Sequence, residues 1–396
     1  KAAWGDYDND GDADLYAGNT LWRNNNGNSF TAVNSSFSGS GIWGDFDNDG
    51  KLDLFTYTTG SQVQLKLYRN KSTNNTWPFF QDVTYMLPNV VLGTMISRGA
   101  SWGDFDGDGF IDLYVGGYEG SPGDWPDRIF HNDGGTGFTN AWTATSGHRA
   151  RGVTSADFDE DGDLDVYVSN YRLQDNLLFR NTGNFSFINV ASSYGVAGGA
   201  HTIGSAWGDI DNDGHLDLFV GNFSHSGQEQ SHFYRNKGPS QSYQFEDKGT
   251  GGVSWQESFA TPALGDYDND GDLDCIVMNE NELYGLDPIS LLKTVNTTKE
   301  SKYFNSSHFY KNVNGKYVDV TKEVGLENPI FGLGLCVSDI NSDGYLDIYL
   351  SSDYYLPDAI YINNQKGKFT NHVNQLTQQI SFYGMGLDIG DINNDN

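Results

Sequence analysis

The sequence predicts an all-β chain, a β-propeller built of four-stranded blades, on three observations. A unit typified by Trp4-Gly5-Asp6-Tyr7-Asp8-Asn9-Asp10-Gly11, followed by Asp14-Leu15-Tyr16, recurs seven times in full. An aromatic-x-Asn segment follows every complete copy. Each copy also parses into four short apolar runs punctuated by Gly- and Asn-rich turns, the pattern of a repeated sheet rather than of a two-domain chain.

The elements follow in order along each unit. Strand A leads into an acidic loop and ends on a small residue, Gly5, Gly44, Gly103, Ala156, Gly208, Gly265 or Ser338, which suits the crowded innermost strand. Strand B comes after the loop and is almost continuously apolar, as in Leu113-Tyr114-Val115 and Leu218-Phe219-Val220, so its sheet is expected to be covered on both faces. Strand C holds the aromatic-x-Asn segment, as in Trp22-Arg23-Asn24, Tyr68-Arg69-Asn70, Phe130-His131-Asn132 and Phe179-Arg180-Asn181, with later copies at Tyr234, Tyr310 and Tyr361. Strand D follows a turn and carries an aromatic, as in Ser29-Phe30-Thr31 and Lys368-Phe369-Thr370, so C and D form a hairpin. Four strands in a unit of about 50 residues fit a propeller blade better than the coil of a solenoid.

The acidic loops start at Asp6, Asp45, Asp104, Asp157, Asp209, Asp266 and Asp339, and an incomplete eighth starts at Asp391 and is cut off at Asn396. The expected organisation is one propeller domain over residues 1–396, with repeats starting near residues 4, 43, 102, 155, 207, 264, 337 and 389. Seven full blades and the opening of another are expected. Because Lys1 stands in mid-pattern, the chain reads as a fragment of a longer one.

Composition narrows the function. The 23 Lys and Arg against 53 Asp and Glu give a formal charge of −30, which argues against an electrostatic grip on nucleic acid or an anionic membrane. An aromatic content of 14% argues for a folded chain, so the excess acid needs specific employment. Only Cys275 and Cys336 are present; they could form one bridge or remain two buried thiols, and no disulfide framework is possible. No apolar run approaches the roughly 20 residues that span a bilayer.

The acid is employed in the loops. In D-x-D-x-D-G-x-x-D the carboxylates at positions 1, 3, 5 and 9 converge because Gly at position 6 lets the chain turn sharply, and hard oxygen donors of this kind select calcium. Position 7 has no shared side-chain chemistry and is expected to ligate through its backbone carbonyl. The candidate calcium ligands are Asp6, Asp8, Asp10, Asp12 and Asp14; Asp45, Asp47, Asp49, Lys51 and Asp53; Asp104, Asp106, Asp108, Phe110 and Asp112; Asp157, Asp159, Asp161, Asp163 and Asp165; Asp209, Asp211, Asp213, His215 and Asp217; Asp266, Asp268, Asp270, Asp272 and Asp274; and Asp339, Asn341, Asp343, Tyr345 and Asp347. About seven Ca²⁺ sites follow, the last weaker because Asn341 replaces an acid. An EF-hand is rejected: its twelfth position requires Glu, whereas these loops place Ala17, Thr56, Val115, Val168, Val220, Val277 and Leu350 there.

These residues resemble the FG-GAP/VCBS family of calcium-binding propeller repeats, found in integrin α-subunit heads and in many secreted proteins. The W-G-D-x-D-x-D-G-x-x-D-L-Y form is most similar to the group that includes cartilage acidic protein and the bacterial ASPIC/UnbV proteins. The resemblance implies that the calcium loops share one face and that partners meet the opposite face, made by the B–C and D–A connections. It is specific for fold and metal and weak for function.

Those connections individualise the chain. The longest lies in the sixth unit and includes Asp287-Pro288-Ile289-Ser290-Leu291-Leu292, where a short helix is expected. Others carry Trp125, Trp255 and Gly147-His148-Arg149-Ala150-Arg151, where an exposed aromatic could stack on a sugar or anchor a protein. Sequons stand at Asn34, Asn70, Asn74, Asn184, Asn222, Asn296 and Asn305 and are compatible with secretion. The expected function is an extracellular, calcium-stabilised adhesion or matrix scaffold that binds protein. The alternatives are a lectin, a self-assembling fibre or surface-layer subunit, and a polysaccharide-active enzyme; the last is disfavoured because no nucleophile elbow and no catalytic His cluster is present.

Overall fold

In the computed structural model the described residues are all but 1, 26, 28, 35, 59–63, 74–78, 90–99, 118–125, 146–147, 223–229, 251–258, 280–282, 284–285, 378–386, 388 and 390–396. Among these described residues twenty-eight strands pair into seven antiparallel four-stranded sheets, each in the order A-B-C-D, and the sheets form a seven-bladed β-propeller. The eighth loop start at Asp391, together with Trp125, Trp255, Gly147 and Asn74, lies outside the described residues.

The repeat fixes where the strands begin and end. Strand A of blades 1 to 7 runs Ala2–Gly5, Ser40–Gly44, Ala100–Gly103, Ala150–Ala156, Thr202–Gly208, Phe259–Gly265 and Gly332–Ser338, stopping each time at the small residue. Strand B starts each time at the loop's ninth residue, at Asp14–Ala17, Asp53–Tyr57, Asp112–Val115, Asp165–Asn170, Asp217–Asn222, Asp274–Asn279 and Asp347–Ser352. Strand C ends each time on the motif Asn, at Thr20–Asn24, Leu65–Asn70, Arg128–Asn132, Leu177–Asn181, His232–Asn236, His308–Asn312 and Ala359–Asn363. The outer strand D is Phe30–Asn34, Phe80–Asp82, Phe138–Thr143, Phe187–Asn189, Phe245–Asp247, Tyr317–Asp319 and Phe369–Asn371. The small residue pairs across the A–B hairpin with the ninth, as in Gly44↔Asp53 and Gly208↔Asp217.

Strand B is buried along its whole length in blades 2 to 6, as its apolar run requires. The core lies between blades rather than within them. Phe158, Tyr167 and Leu178 of blade 4 pack on Leu218, Val220 and Tyr234 of blade 5, and corresponding clusters join the other neighbouring pairs from blade 1 to blade 7. This explains the small residue closing strand A. A Cβ on Gly44 would lie 2.8 Å from Ile111 Cδ1 and one on Gly265 would lie 2.9 Å from Leu346 Cδ1, in each case the residue before strand B of the next blade.

Helices occur only in connections among the described residues. Helix α1 (Ala191–Tyr194) follows strand D of blade 4. The expected helix in the sixth unit is α2 (Pro288–Val295), with Pro at its start and the Asp287 carboxylate accepting the Ile289 and Ser290 N–H groups. A second helix in that insertion, α3 (Lys299–Phe304), is capped by Thr298 and was not expected from the sequence. Helices α4 (Thr321–Val324) and α5 (Val373–Leu376) follow strand D of blades 6 and 7. The four-residue helices share a cause: the last residue of strand D, Asn189, Asp319 or Asn371, accepts the N–H two residues on and starts a turn. No disulfide joins Cys275 and Cys336, so of the two expected states the unbridged one holds, with Cys275 fully buried on strand B of blade 6 and Cys336 only half-buried.

Candidate metal centre and the blade pins

The A–B loops lie together at one end of the blades, with the C–D turns, because antiparallel strands return every second connection to the same end. In each loop the first Asp folds the turn: Asp45 Oδ1 and Oδ2 accept the N–H groups of Asp49 (3.0 Å) and Gly50 (2.8 Å), and the same pair of bonds recurs at Asp6, Asp104, Asp157, Asp209, Asp266 and Asp339. Gly at position 6 stands at φ between 81° and 96° in all seven complete loops, where an L side chain is strained, which is why each of the seven carries Gly there.

The ninth Asp anchors the loop to the sheet. Asp53 Oδ1 accepts the Asn70 N–H at 2.7 Å and Oδ2 accepts the Phe46 N–H at 3.2 Å. Burial of these carboxyls pushes their pKa values up, to about 7 at Asp14, Asp53, Asp217 and Asp274, about 6 at Asp112 and about 8 at Asp165, against the opposing effect of the N–H donors.

Carboxylate oxygens of Asp6, Asp8 and Asp10, of Asp45, Asp47 and Asp53, of Asp104, Asp106 and Asp108, and of Asp157, Asp159 and Asp165 gather within 4.8 Å of one another. At the third position one oxygen is left over. Oδ1 of Asp47, Asp159, Asp211 and Asp268 is buried and accepts no hydrogen bond among the described residues. A desolvated anionic acceptor with no donor is costly unless a cation meets it. The donor set is all oxygen and the loop amides already hold it in shape, so the residues fit a hard divalent ion. Two side chains at position 7 are turned to other partners, Lys51 to Asp49 at 2.8 Å and His215 to Glu160 of the preceding blade at 2.5 Å, so in those two loops a ligand from that position would be the backbone carbonyl.

Two features of strand C were visible in the sequence and given no role there. The middle residue of aromatic-x-Asn is Arg or Lys in five blades and His in a sixth, and it turns onto the acidic loop of its own blade. Arg23 meets Asp8 at 2.9 Å and Asp10 at 3.2 Å, Arg69 meets Asp47 at 2.8 Å, and Arg180, Arg235 and Lys311 pair with Asp159, Asp211 and Asp268 in the same way. Blade 3 uses His131. Blade 7 has Ile362 there, and its loop is the one in which Asn341 replaces an acid, so cation and third carboxylate are lost together.

The motif Asn pins neighbouring blades. Its Nδ2 donates to the backbone carbonyl at loop position 2 of the preceding blade: Asn70 to Tyr7 (2.7 Å), Asn132 to Phe46 (2.7 Å), Asn181 to Phe105 (2.8 Å), Asn236 to Phe158 (2.9 Å), Asn312 to Ile210 (2.7 Å) and Asn363 to Tyr267 (2.7 Å). Its Oδ1 accepts from the C–D turn, as from Gly135 at Asn132. Burial removes two sequons: Asn70 is fully buried as a pin, and Asn222, at the end of strand B of blade 5, is buried against Thr202 at 2.7 Å.

The opposite end carries the B–C and D–A connections. Large apolar side chains are exposed there, Tyr85 at 80%, Ile289 at 79%, Leu173 at 60% and Leu376 at 53%. Helix α2 buries Leu291 and Val295, one turn apart, and leaves Ile289 and Leu292 outward. Among the described residues no helix is long and apolar enough to cross a membrane.

Comparison with known proteins agrees with this architecture. Over 216 residues, half of this chain, the sequence is 26% identical to cartilage acidic protein 1 of human and, equally, of mouse, covering 30% of each of those proteins. The chain therefore spans less than a third of the length of the curated relatives it matches. A lectin of Agrocybe aegerita that recognises non-reducing terminal N-acetylglucosamine shares the fold, with a TM-score of 0.52 at 16% identity over 89% of this chain and 86% of that one. The biofilm matrix protein Bap1 of V. cholerae superposes with a TM-score of 0.50 at 10% identity over all of this chain and 82% of its own. The FG-GAP-like repeat matches residues 45–115, 104–168, 157–220 and 339–396, so the loops, pins and blades described above are those of a member of the FG-GAP-like repeat family.

Proposed function

We propose that this chain is a calcium-stabilised propeller acting outside the cell as a protein-binding adhesion or matrix scaffold, with no catalytic step of its own. The observation that carries the metal is the buried, donorless Oδ1 of Asp47, Asp159, Asp211 and Asp268 beside loops of four carboxylates. Positions 1, 3, 5 and 9 and the position 7 carbonyl would hold each ion, which supplies charge neutralisation and cross-links loop to sheet. Loops tuned by exposed carboxylates of this kind suit the millimolar calcium outside cells better than cytosolic calcium.

The scaffold reading draws support from the exposed Ile289 and Leu292 on α2, opposite the acidic loops, and from relatives named for cartilage and for a biofilm matrix. Connections that differ from blade to blade suit one unique partner surface rather than a pocket repeated around the ring. The test is binding of the calcium-loaded chain to cell-derived extracellular matrix and, in parallel, to a glycan array, with and without chelator and with Ile289→Glu/Leu292→Glu. Matrix binding abolished by the double variant and by chelation supports the scaffold; binding to one sugar class that the variant leaves intact replaces it with a lectin.

A further inference from the structure

The strand C cation of five blades is an arginine or lysine, which has no acceptor atom and can only pair with the loop carboxylates. Blade 3 departs from this. His131 brings an imidazole, a donor or a ligand according to its proton, to the same place, and its Nδ1 lies 3.4 Å from Asp106 Oδ2 and 3.2 Å from Asp112 Oδ1. Nε2 faces Asp133 Oδ1 at 3.6 Å. The ring is held from the neighbouring blade by Phe185, centroid to centroid 4.9 Å.

Ligand atoms bound at about 2.0–2.2 Å to a small divalent ion lie about 2.8–3.6 Å apart, from octahedral to tetrahedral geometry. The two Nδ1–oxygen separations fall inside that interval, and the atoms of Asp106, Asp112 and His131 all lie within 4.8 Å of one another. Asp112 is fixed by the Asn132 and Phe105 N–H groups, at 2.8 and 2.9 Å, so two ligands come from rigid strands and one from the loop.

We propose that blade 3 carries a mixed nitrogen–oxygen site, Asp106, Asp112 and His131, that takes a first-row transition divalent ion of the Zn²⁺ or Co²⁺ class in preference to calcium. Imidazole is a good ligand for such ions, and calcium takes oxygen. The proposal rests on the reading of the acidic loops as metal sites, and narrows it for one of them.

The probe is Co²⁺ titrated into the calcium-saturated chain, followed by its visible absorption and by elemental analysis after gel filtration. One equivalent of Co²⁺ retained against millimolar calcium is expected in the native chain and in His232→Gln, which removes a histidine–aspartate pair at the other end of a blade. In His131→Arg, the residue four other blades use, that equivalent should weaken by more than the about 10–100-fold that follows loss of an outer-shell partner. If His131→Arg does not fold, His131→Gln carries the same comparison. Retention of the Co²⁺ equivalent without His131, or its full displacement by calcium in the native chain, overturns the proposal. Calcium counted on the same samples separates the two readings: an absence of bound calcium refutes the general metal reading while leaving the His131 equivalent to be scored by itself.

Discussion

The carboxamide of Asn236 in blade 5 donates to the backbone carbonyl of Phe158 in blade 4 at 2.9 Å, across 78 residues of chain. The same nitrogen reaches the Leu216 carbonyl at 3.2 Å, the Asn236 N–H binds Asp217 Oδ1 at 2.7 Å, and its Oδ1 receives the Gly238 N–H at 3.0 Å. One buried side chain thus joins loop, turn and adjacent blade. Asn236→Ala strands two carbonyls and an N–H in a closed interface, and the expected loss is about 3 kcal/mol, read from urea unfolding of the calcium-loaded chain. A loss below about 1 kcal/mol would mean that water replaces the carboxamide at no cost.

Turns of one blade also shape the acidic loop of its neighbour. Gly135, in the C–D turn of blade 3, sits at φ 73°, and a Cβ there would come within 2.8 Å of the Asp47 Cα in blade 2. Its carbonyl also accepts from Arg69 at 2.6 Å. Backbone cannot yield as a side-chain tip does, so Gly135→Ala should cost about 1–3 kcal/mol. It should also remove or weaken one calcium equivalent by calorimetry. An unchanged calcium count with lowered stability would restrict the effect to the backbone.

Much of this was legible because the chain says it seven times. The ninth Asp and the motif Asn mark where strands B and C begin and end, and the small residue before Asp6, Asp45 and their counterparts announced a crowded contact. What the contact was could not be read, since Gly44 meets Ile111 and Asn236 meets Phe158 only after the ring has formed. The strand C cation was equally visible at Arg23, Arg69, Arg180, Arg235 and Lys311, but a charge on a strand of unknown facing has no partner until register is set. Helix α3 escaped because six residues with two lysines and no apolar stripe carry little helical signal beyond the Thr298 cap.

The sequons divide by burial. Asn184 and Asn296 are exposed, whereas Asn70 and Asn222 are buried and hydrogen-bonded inside the blades. Expression through a mammalian secretory route should therefore yield glycan at Asn184 and Asn296 and none at Asn70 or Asn222, as read by mass spectrometry after deglycosylation in heavy-oxygen water. Glycan on Asn70 would show that the blade 2 pin is open when the host's oligosaccharyltransferase acts.

The ninth-position carboxyls set the response to pH. In the unfolded chain these aspartates ionise near pH 4, whereas burial in the metal-free fold raises them to about 7 at Asp53 and Asp217 and about 8 at Asp165. Between those limits the folded state binds more protons than the unfolded state, so its stability falls as pH rises from about 4 to about 8, and is flat beyond. On the calcium reading proposed above the ion would act with the opposite sign, because it would bind the deprotonated carboxylates and compete with the proton. The melting temperature of the chelated chain should thus decline from pH 5 to pH 8, and the increment added by calcium should grow over the same interval. Parallel thermal melts at pH 5, 6, 7 and 8 decide it: an increment that stays constant with pH would mean that the buried ninth aspartates are not among the groups the ion neutralises.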